Sequence, residues 1–483
     1  MSPTAVIGIS RTHHPYPRQG VQADSRGIPR YTKLPESLIA MLARHLETGP
    51  DVEAVVEVGG QRLAYRQLRD RAARAAGGLR AAGGVAVAVN TRSSQPEVEF
   101  VLQDAGVTVD PAAAGPLPDG DPLVIDGLGR SDVAAFFCTS GTTGNPKGVP
   151  TTHEAFLANV GNVLTCLGLP ADIGAGLRTL IPVPLFHVTG CNSQLLVAAR
   201  IGGTSVILPA FDQAKMIASI PAERIAFVLT VPAIYSLILR RREFATIDVS
   251  AVRWVGYGGA PIAPGLVRAL QDAFPGGRVF NGYEMTETAS VMSMLPHEDA
   301  VEHADSVGYS VPSVDLGIVP LDDDPSTGEL VVRGANVTAG YWQRPETNAE
   351  TIVDGWLRTG DIVRADDAGR VHIVDRIKDI IIRGGENVSS IEVEAALLAA
   401  PGVAEAAVIA VPDDVMGEKV GAVLFGGAET VDVPQVLAHC RKQLADFKIP
   451  QYVVVAGGPL PRNPGGKLLK AQLRESVEWG APL

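Results

Sequence analysis

A chain of 483 residues exceeds what one hydrophobic core serves and predicts two or more domains. Hydrophobic residues make up 46% and charged residues 19%, the balance of a folded globular protein rather than a disordered one. A formal charge of −12 argues against the basic surface that a nucleic acid needs, and no apolar run is long enough to span a bilayer. Cys138, Cys166, Cys191 and Cys440 are scattered without CxxC spacing, and the histidines are dispersed apart from His13 and His14. Neither a disulfide framework nor a metal cluster is predicted, and with a start unlike a signal peptide the expected location is cytoplasmic.

Residues 1–35 are rich in Arg, Pro and Gly and read as an irregular arm. "LRDRAARAAGGLRAA" has helical composition, and "VAVAVN" is a short β-branched run that predicts a strand. A Pro/Gly/Asp-rich connection follows over 108–132. "DVAAFFCTSGTTG" then reads as a buried apolar strand running into a glycine loop. Between 180 and 340, the runs "TSVILP", "IAFVLTVP" and "VRWVGYGG" alternate with helical stretches, the rhythm of a mostly parallel sheet with crossover helices. "GELVVRG" is a strand bounded by glycines. After "DRIKDIIIRGGENVSS" the pattern restarts as helix "IEVEAALLAA", strands "EAAVIAVP" and "KVGAVLFG", and helix "PQVLAHCRKQL". The expected architecture is α/β: a large N-terminal domain of mixed and parallel sheets over 1–374, and a small α+β domain over 375–483.

"CTSGTTGNPKG", Cys138 to Gly148, carries the first chemistry. Glycines let backbone N–H groups approach an anion, Ser and Thr add donors, and Lys147 adds a point charge. An ordinary glycine turn explains many isolated Gly/Ser/Thr stretches, but eleven consecutive fitting residues after an apolar strand favour a phosphate grip. The P-loop pattern is absent, because glycine follows Lys147.

This loop resembles the signature of the AMP-forming adenylating superfamily, which includes acyl-CoA synthetases, peptide-synthetase adenylation domains and luciferases. Further motifs similar to that family's follow in order: "PLFHVTG", "NGYEMTE", "GELVVRG", "WLRTGD", "DRIKDIIIRGGENVSS" and "PRNPGGKLLK". The resemblance implies two half-reactions, in which ATP and a carboxylate give an acyl-adenylate and a thiol then displaces AMP. It implies that Thr139, Ser140, Gly141, Thr142, Thr143 and Lys147 embrace the β- and γ-phosphates, that Thr286 bonds the α-phosphate and that Glu287 holds Mg²⁺. The adenine is then expected among Gly259, Ala260, Pro261, Asn281, Gly282 and Tyr283, with Asp361 and Arg376 on the ribose. Lys467 resembles the lysine that neutralises charge during adenylation. Asp375 resembles the hinge on which a mobile small domain turns.

His187 resembles the gate of the acid pocket, to which Val188, Thr189, Cys191, Ser193, Gly256, Gly258 and Glu284 also belong by position. Two features depart from the family pattern. "LRAAGG" runs almost directly into "VAVAVNTR", so one N-terminal subdomain is trimmed, and Glu284 stands where relatives mostly carry a small residue. A carboxylate facing an alkyl chain has no partner. Glu284 therefore either meets a polar substrate, or turns to solvent or caps a backbone turn. "VRWVGYGGAP" lacks the aspartate of an amino-acid site, so the expected substrate is a small or aromatic carboxylate, amino- and hydroxy-substituted forms included. CoA is the expected acceptor, from "RGGENVSS" and "FKIP". A carrier protein, an amine, nitrite activation as in the ATP-dependent diazotases of secondary metabolism, and a degenerate nucleotide-binding scaffold stay open, as does a homodimer.

Overall fold

The computed structural model describes residues 6–81, 95–104, 119–139, 146–170, 172–260, 262–321, 324–427, 430–462 and 468–482. Among them, the strands Glu53–Glu57, Thr204–Ile207, Arg178–Ile181, Phe227–Thr230, Trp254–Gly258 and Arg278–Met285 lie side by side in that order, all parallel. The helices Gln213–Ala222, Pro232–Leu239 and Pro264–Ala273 stand between successive strands of this set. Residues alternate across the sheet as the period of two requires. Phe227, Leu229, Trp254 and Phe280 pack into one core, whereas Val228, Val255 and Tyr257 join a second core on the other face. Each large side chain withdrawn from water this way contributes about 1.5–3 kcal/mol.

The sheet does not stop at Arg278–Met285. Ser290–Leu295 turns back antiparallel to it, and Ser306–Ser310, Val371–Arg376, Trp356–Ala365, Thr327–Gly334 and Val314–Pro320 extend the sheet. The parallel rhythm expected over 180–340 therefore holds only to about Met285. The strand Val133–Cys138 also departs from expectation. It is half-buried and pairs with Gly148–Thr152 in a separate two-stranded hairpin. The helix Tyr65–Ala81 is present as expected, while "VAVAVN" and much of the trimmed stretch lie outside the described residues.

The arm is more ordered than its composition suggests. Ile7 and Gly8 pair with Ile318 and Gly317, and Val21–Ala23 forms a small hairpin with Pro29–Tyr31. Tyr16 is buried and donates to the Met294 carbonyl at 3.1 Å. Arg30 pairs with Asp24 inside the hairpin and ties it to the body through Glu154.

Past Arg376 a small second sheet forms from Glu386–Val388, Ile381–Arg383, Gly417–Phe425 and Glu405–Asp413, with Tyr452–Val455 parallel to Gly417–Phe425. The helices Ser390–Leu398 and Val433–Cys440 cover it and bury Val393, Leu397, Val408, Val420 and Val436 in a core of their own. The result is a large N-terminal mixed-sheet domain and a small C-terminal one.

Candidate active site

A cleft of about 820 Å³ opens at the C-terminal ends of the parallel strands, where open α/β sheets place their ligands. On one side stands the glycine hairpin. Thr139 N–H donates to the Lys147 carbonyl at 2.9 Å, and Lys147 N–H donates to Thr139 Oγ1 at 3.2 Å. These two bonds pin the ends of the loop. Ser140, Gly141, Thr142 and Thr143 lie outside the described residues, as do Pro261 and Lys467.

Lys147 Nζ sits 5.0 Å from the centre of the Tyr341 ring, a cation–π contact. The Tyr341 hydroxyl in turn donates to Glu287 Oε1 at 2.7 Å. Burial and the neighbouring Glu287 hold the Tyr341 phenol far above its ordinary range, so it remains a donor. Glu287 is only 8% exposed, and with Thr286 it occupies a 3₁₀ turn directly after the strand Arg278–Met285. Tyr341 thus joins the lysine expected to grip phosphate to the carboxylate expected to hold Mg²⁺. Nothing local in the sequence marks it, since 54 positions separate it from Glu287.

Opposite lies a second row. Asp361 accepts from the Tyr283 hydroxyl on one oxygen and pairs with Arg376 Nε at 2.8 Å on the other. Asp361 and Arg376 are cross-strand partners, which explains why motifs fifteen residues apart converge. Burial, with Asp361 beside it, drives the Tyr283 phenol well above its ordinary range. Lys378 lines the same wall, and burial together with Arg376 lowers its ammonium from the ordinary lysine value. Two cations so placed favour an anionic ligand.

Gly258 ends its strand against the cleft, and Gly259 turns away at φ +75° with Ala260 exposed beside it. Asn281 is buried, its amide donating to the Ser306 carbonyl at 3.3 Å. Gly282 and Ser193 border a much smaller void of about 10 Å³ behind the cleft. Gly256 closes on that floor, since a Cβ there would lie 2.4 Å from Phe280. Val188 packs with Phe137 and Phe156 under the hairpin. Burial pushes the Cys191 thiol up to about 12, so it stays protonated.

The inner wall is a chain of hydroxyls around Glu284. The register of its strand shifts between Tyr283 and Glu284, the kind of bulge that re-aims a side chain. Glu284 accordingly faces the cleft, where Thr189 Oγ1 donates to one oxygen and Ser290 Oγ to the other at 2.5 Å. His187 Nδ1 lies 2.9 Å from Thr189 Oγ1, and Ser193 Oγ lies 2.8 Å from Ser290 Oγ. Ser290, which sequence reading missed, is fully buried with φ +115°, a backbone conformation that costs a serine energy.

Among the described residues no cluster of three or more His, Cys, Asp or Glu is arranged to hold a metal. A Mg²⁺ carried in on phosphates needs only one or two carboxylates, and Glu287, with one oxygen committed to Tyr341, fits that need. No helix among these residues is long and apolar enough to cross a membrane.

Two family models match the chain, "AMP-binding enzyme" over residues 110–342 and "AMP-binding enzyme C-terminal domain" over 392–467. A long-chain-fatty-acid–CoA ligase of Mycobacterium tuberculosis, FadD13, is 35% identical over 83% of this chain and 84% of its own. The chain belongs to the AMP-binding enzyme family. As a member, it is an AMP-forming ligase of the acid–CoA kind. A feruloyl-CoA synthase from an Amycolatopsis species is 34% identical over 89% of this chain and 97% of its own. Among solved structures, the o-succinylbenzoate CoA synthetase MenE of Bacillus subtilis with ATP and magnesium superposes at a TM-score of 0.80, with 27% identity over 90% of this chain and 99% of MenE. ATP-bound MatB from Rhodopseudomonas palustris gives 0.79 with 29% identity, over 90% and 98%. These AMP-binding enzymes are similar in fold to this chain while their names span fatty, aromatic and other acids.

Proposed function

We propose that this enzyme uses Mg-ATP to adenylate a small or aromatic carboxylate, amino- or hydroxy-substituted forms included, and passes the acyl group to CoA. The observation that carries this reading is the convergence of the Lys147–Tyr341–Glu287 row, the Tyr283–Asp361–Arg376 row and Glu284 on one cleft. In the first half-reaction a carboxylate oxygen bonds to the α-phosphorus of ATP, and the bond to the β-phosphate oxygen breaks to release pyrophosphate. In the second, the thiol sulfur bonds to the acyl carbon, the bond to AMP breaks, and the thiol proton is released.

Joining two anions requires charge screening and alignment. Thr139 and Lys147, with the rest of their loop, grip the β- and γ-phosphates, while Thr286 bonds the α-phosphate. Glu287 holds Mg²⁺, which supplies further screening when bound. Asp361 and Arg376 hold the ribose beside Tyr283. His187 and Thr189 stand at the mouth of the acid pocket. Lys467 neutralises charge during adenylation, delivered by a small domain that begins at Asp375 and turns about it.

ATP–pyrophosphate exchange with a panel of carboxylates, followed by CoA-dependent AMP release, tests the reading. Turnover unchanged without CoA would overturn the acceptor. Lys467→Ala is expected to abolish exchange while sparing thiolysis of a supplied acyl-adenylate, and equal loss in both assays would refute that division.

The void of about 10 Å³ behind Glu284 favours a second reading, in which the activated acid is as small as nitrite and the acceptor is an aryl amine. Pyrophosphate release with nitrite plus an aminobenzoate, and with no carboxylate, would select it.

A further inference from the structure

Glu284 borders both the large cleft and the small void, so its side chain is part of the wall between them. Behind that wall stand Phe227, Leu229, Phe280, Val291 and Met294, with too little space for even a few methylenes. An acid entering past His187 therefore ends at Glu284.

The carboxylate is fixed before any ligand arrives. Thr189 and Ser290 each donate one hydroxyl to it, and Ser193 backs the Ser290 hydroxyl in turn. A carboxylate offers about four lone-pair directions, so two donors leave acceptor capacity on the side that meets the cleft. Among the described residues, the arginines of the cleft pair with other carboxylates: Arg358 with Glu329, Arg344 with Asp104 and Arg376 with Asp361. An acid that covers Glu284 without replacing lost water would strand an anion, whereas a donor on the acid, above all a positive one, satisfies it.

We infer that Glu284 is the specificity-determining floor of the acid pocket, selecting a short acid that carries an ammonium or amino donor at the end remote from its carboxylate. This rests on the reading of the chain as an adenylating ligase. A hydrogen bond to a charged group is worth about 1.5–3 kcal/mol, which corresponds to a preference of roughly 10- to 150-fold in kcat/KM.

The test is ATP–pyrophosphate exchange by the full chain with shape-matched acids. Suitable pairs are 4-(aminomethyl)benzoate with 4-ethylbenzoate, 4-aminobenzoate with 4-methylbenzoate, and β-alanine with butyrate. 4-Hydroxybenzoate serves as the neutral-donor arm, and octanoate and palmitate as length probes. Wild type is expected to favour the nitrogen-bearing partner by at least tenfold and to reject both long acids. Glu284→Gln, nearly equal in shape, keeps the length limit and loses most of the preference for the cationic partner. Glu284→Gly loses the preference and admits octanoate. Equal use of the paired acids by wild type, a preference for 4-hydroxybenzoate over every nitrogen-bearing acid, or brisk exchange with octanoate overturns the assignment while leaving the adenylation reading intact. No exchange with any acid, in wild type and both variants with folding confirmed by melting, overturns the adenylation reading and this assignment with it.

Discussion

Replacing Tyr341 by Phe removes one oxygen and leaves the ring beneath Lys147 in place. The lost bond is the 2.7 Å donation to Glu287 Oε1, whose residue is 8% exposed. A hydrogen bond to a charged group is worth about 1.5–3 kcal/mol, or roughly 10- to 150-fold in an equilibrium constant. The residue lines an open cleft, so water replaces part of that bond and the expected effect falls to about 5- to 30-fold. Because the Tyr341 phenol is held far above its ordinary range, it donates at every working pH, and the loss carries no pH dependence of its own. The assay is ATP–pyrophosphate exchange titrated with Mg²⁺ at fixed ATP. Tyr341→Phe is expected to raise the half-saturating Mg²⁺ by the stated factor while leaving the KM of the acid within about twofold. Tyr341→Leu should add a further loss from the cation–π contact, about 0.5–1 kcal/mol. An unchanged Mg²⁺ titration in Tyr341→Phe would refute the coupling of this hydroxyl to Glu287's proposed role.

Lys470 Nζ lies 2.8 Å from both Ser390 Oγ and Glu394 Oε1, and burial raises the carboxyls of Glu394 and Asp375 above their ordinary values. Lys470→Met leaves Glu394 without its cation and should cost about 3–5 kcal/mol in hydrogen-exchange protection of the helix Ser390–Leu398. Since a raised carboxyl is destabilising only once ionised, that cost should be larger at pH 8 than at pH 5; a flat profile would count against the cluster. His14 is held down to about 3 by burial and by Arg11, so between pH 6.5 and about 3 only the unfolded chain takes its proton. The melting-temperature advantage of wild type over His14→Gln should therefore shrink from pH 7 to pH 5, and a constant gap would refute it. Gly258→Ala puts a Cβ 2.4 Å from the Gly282 carbonyl oxygen of the neighbouring strand, which cannot step aside. It should cost at least about 1–3 kcal/mol and most of the exchange activity, while Gly265→Ala, with nothing within 4 Å, should be harmless.

The parallel half was legible because each of its signals is local: an apolar run, then a helical stretch, then another run. The antiparallel half was not, because Ser290–Leu295 and Val371–Arg376 become neighbours only through Ser306–Ser310. The same holds within the site. Lys147, Glu287 and Asp361 were named from motifs that resemble a family's, whereas Tyr341 and Ser290 act on partners that chain order does not reveal. Ser290 is a small polar residue whose φ of +115° has no signature in sequence. The direction of Glu284 was undetermined because plain alternation does not reveal a bulge, and the bulge decides it. The strand Val133–Cys138 looked buried because it is apolar, yet its partner is only the hairpin arm Gly148–Thr152. Composition made the first residues look irregular, and it was long-range pairing with Gly317 and Ile318 that ordered them.

One strand serves both domains at once. Arg376 pairs with Asp361 in the cleft, while its neighbour Asp375 is 1% exposed and accepts from the backbone N–H and the hydroxyl of Ser390. Neighbouring side chains on a strand face opposite ways, so adjacency itself assigns the two residues to their tasks. The ladder already carries one extra residue beside them, since Ile362 pairs with Asp375 and Val363 with Ile373. A residue added between Asp375 and Arg376 would turn both to the same face, and one of the two contacts would be lost. The connection between the domains therefore admits substitutions far more readily than changes of length.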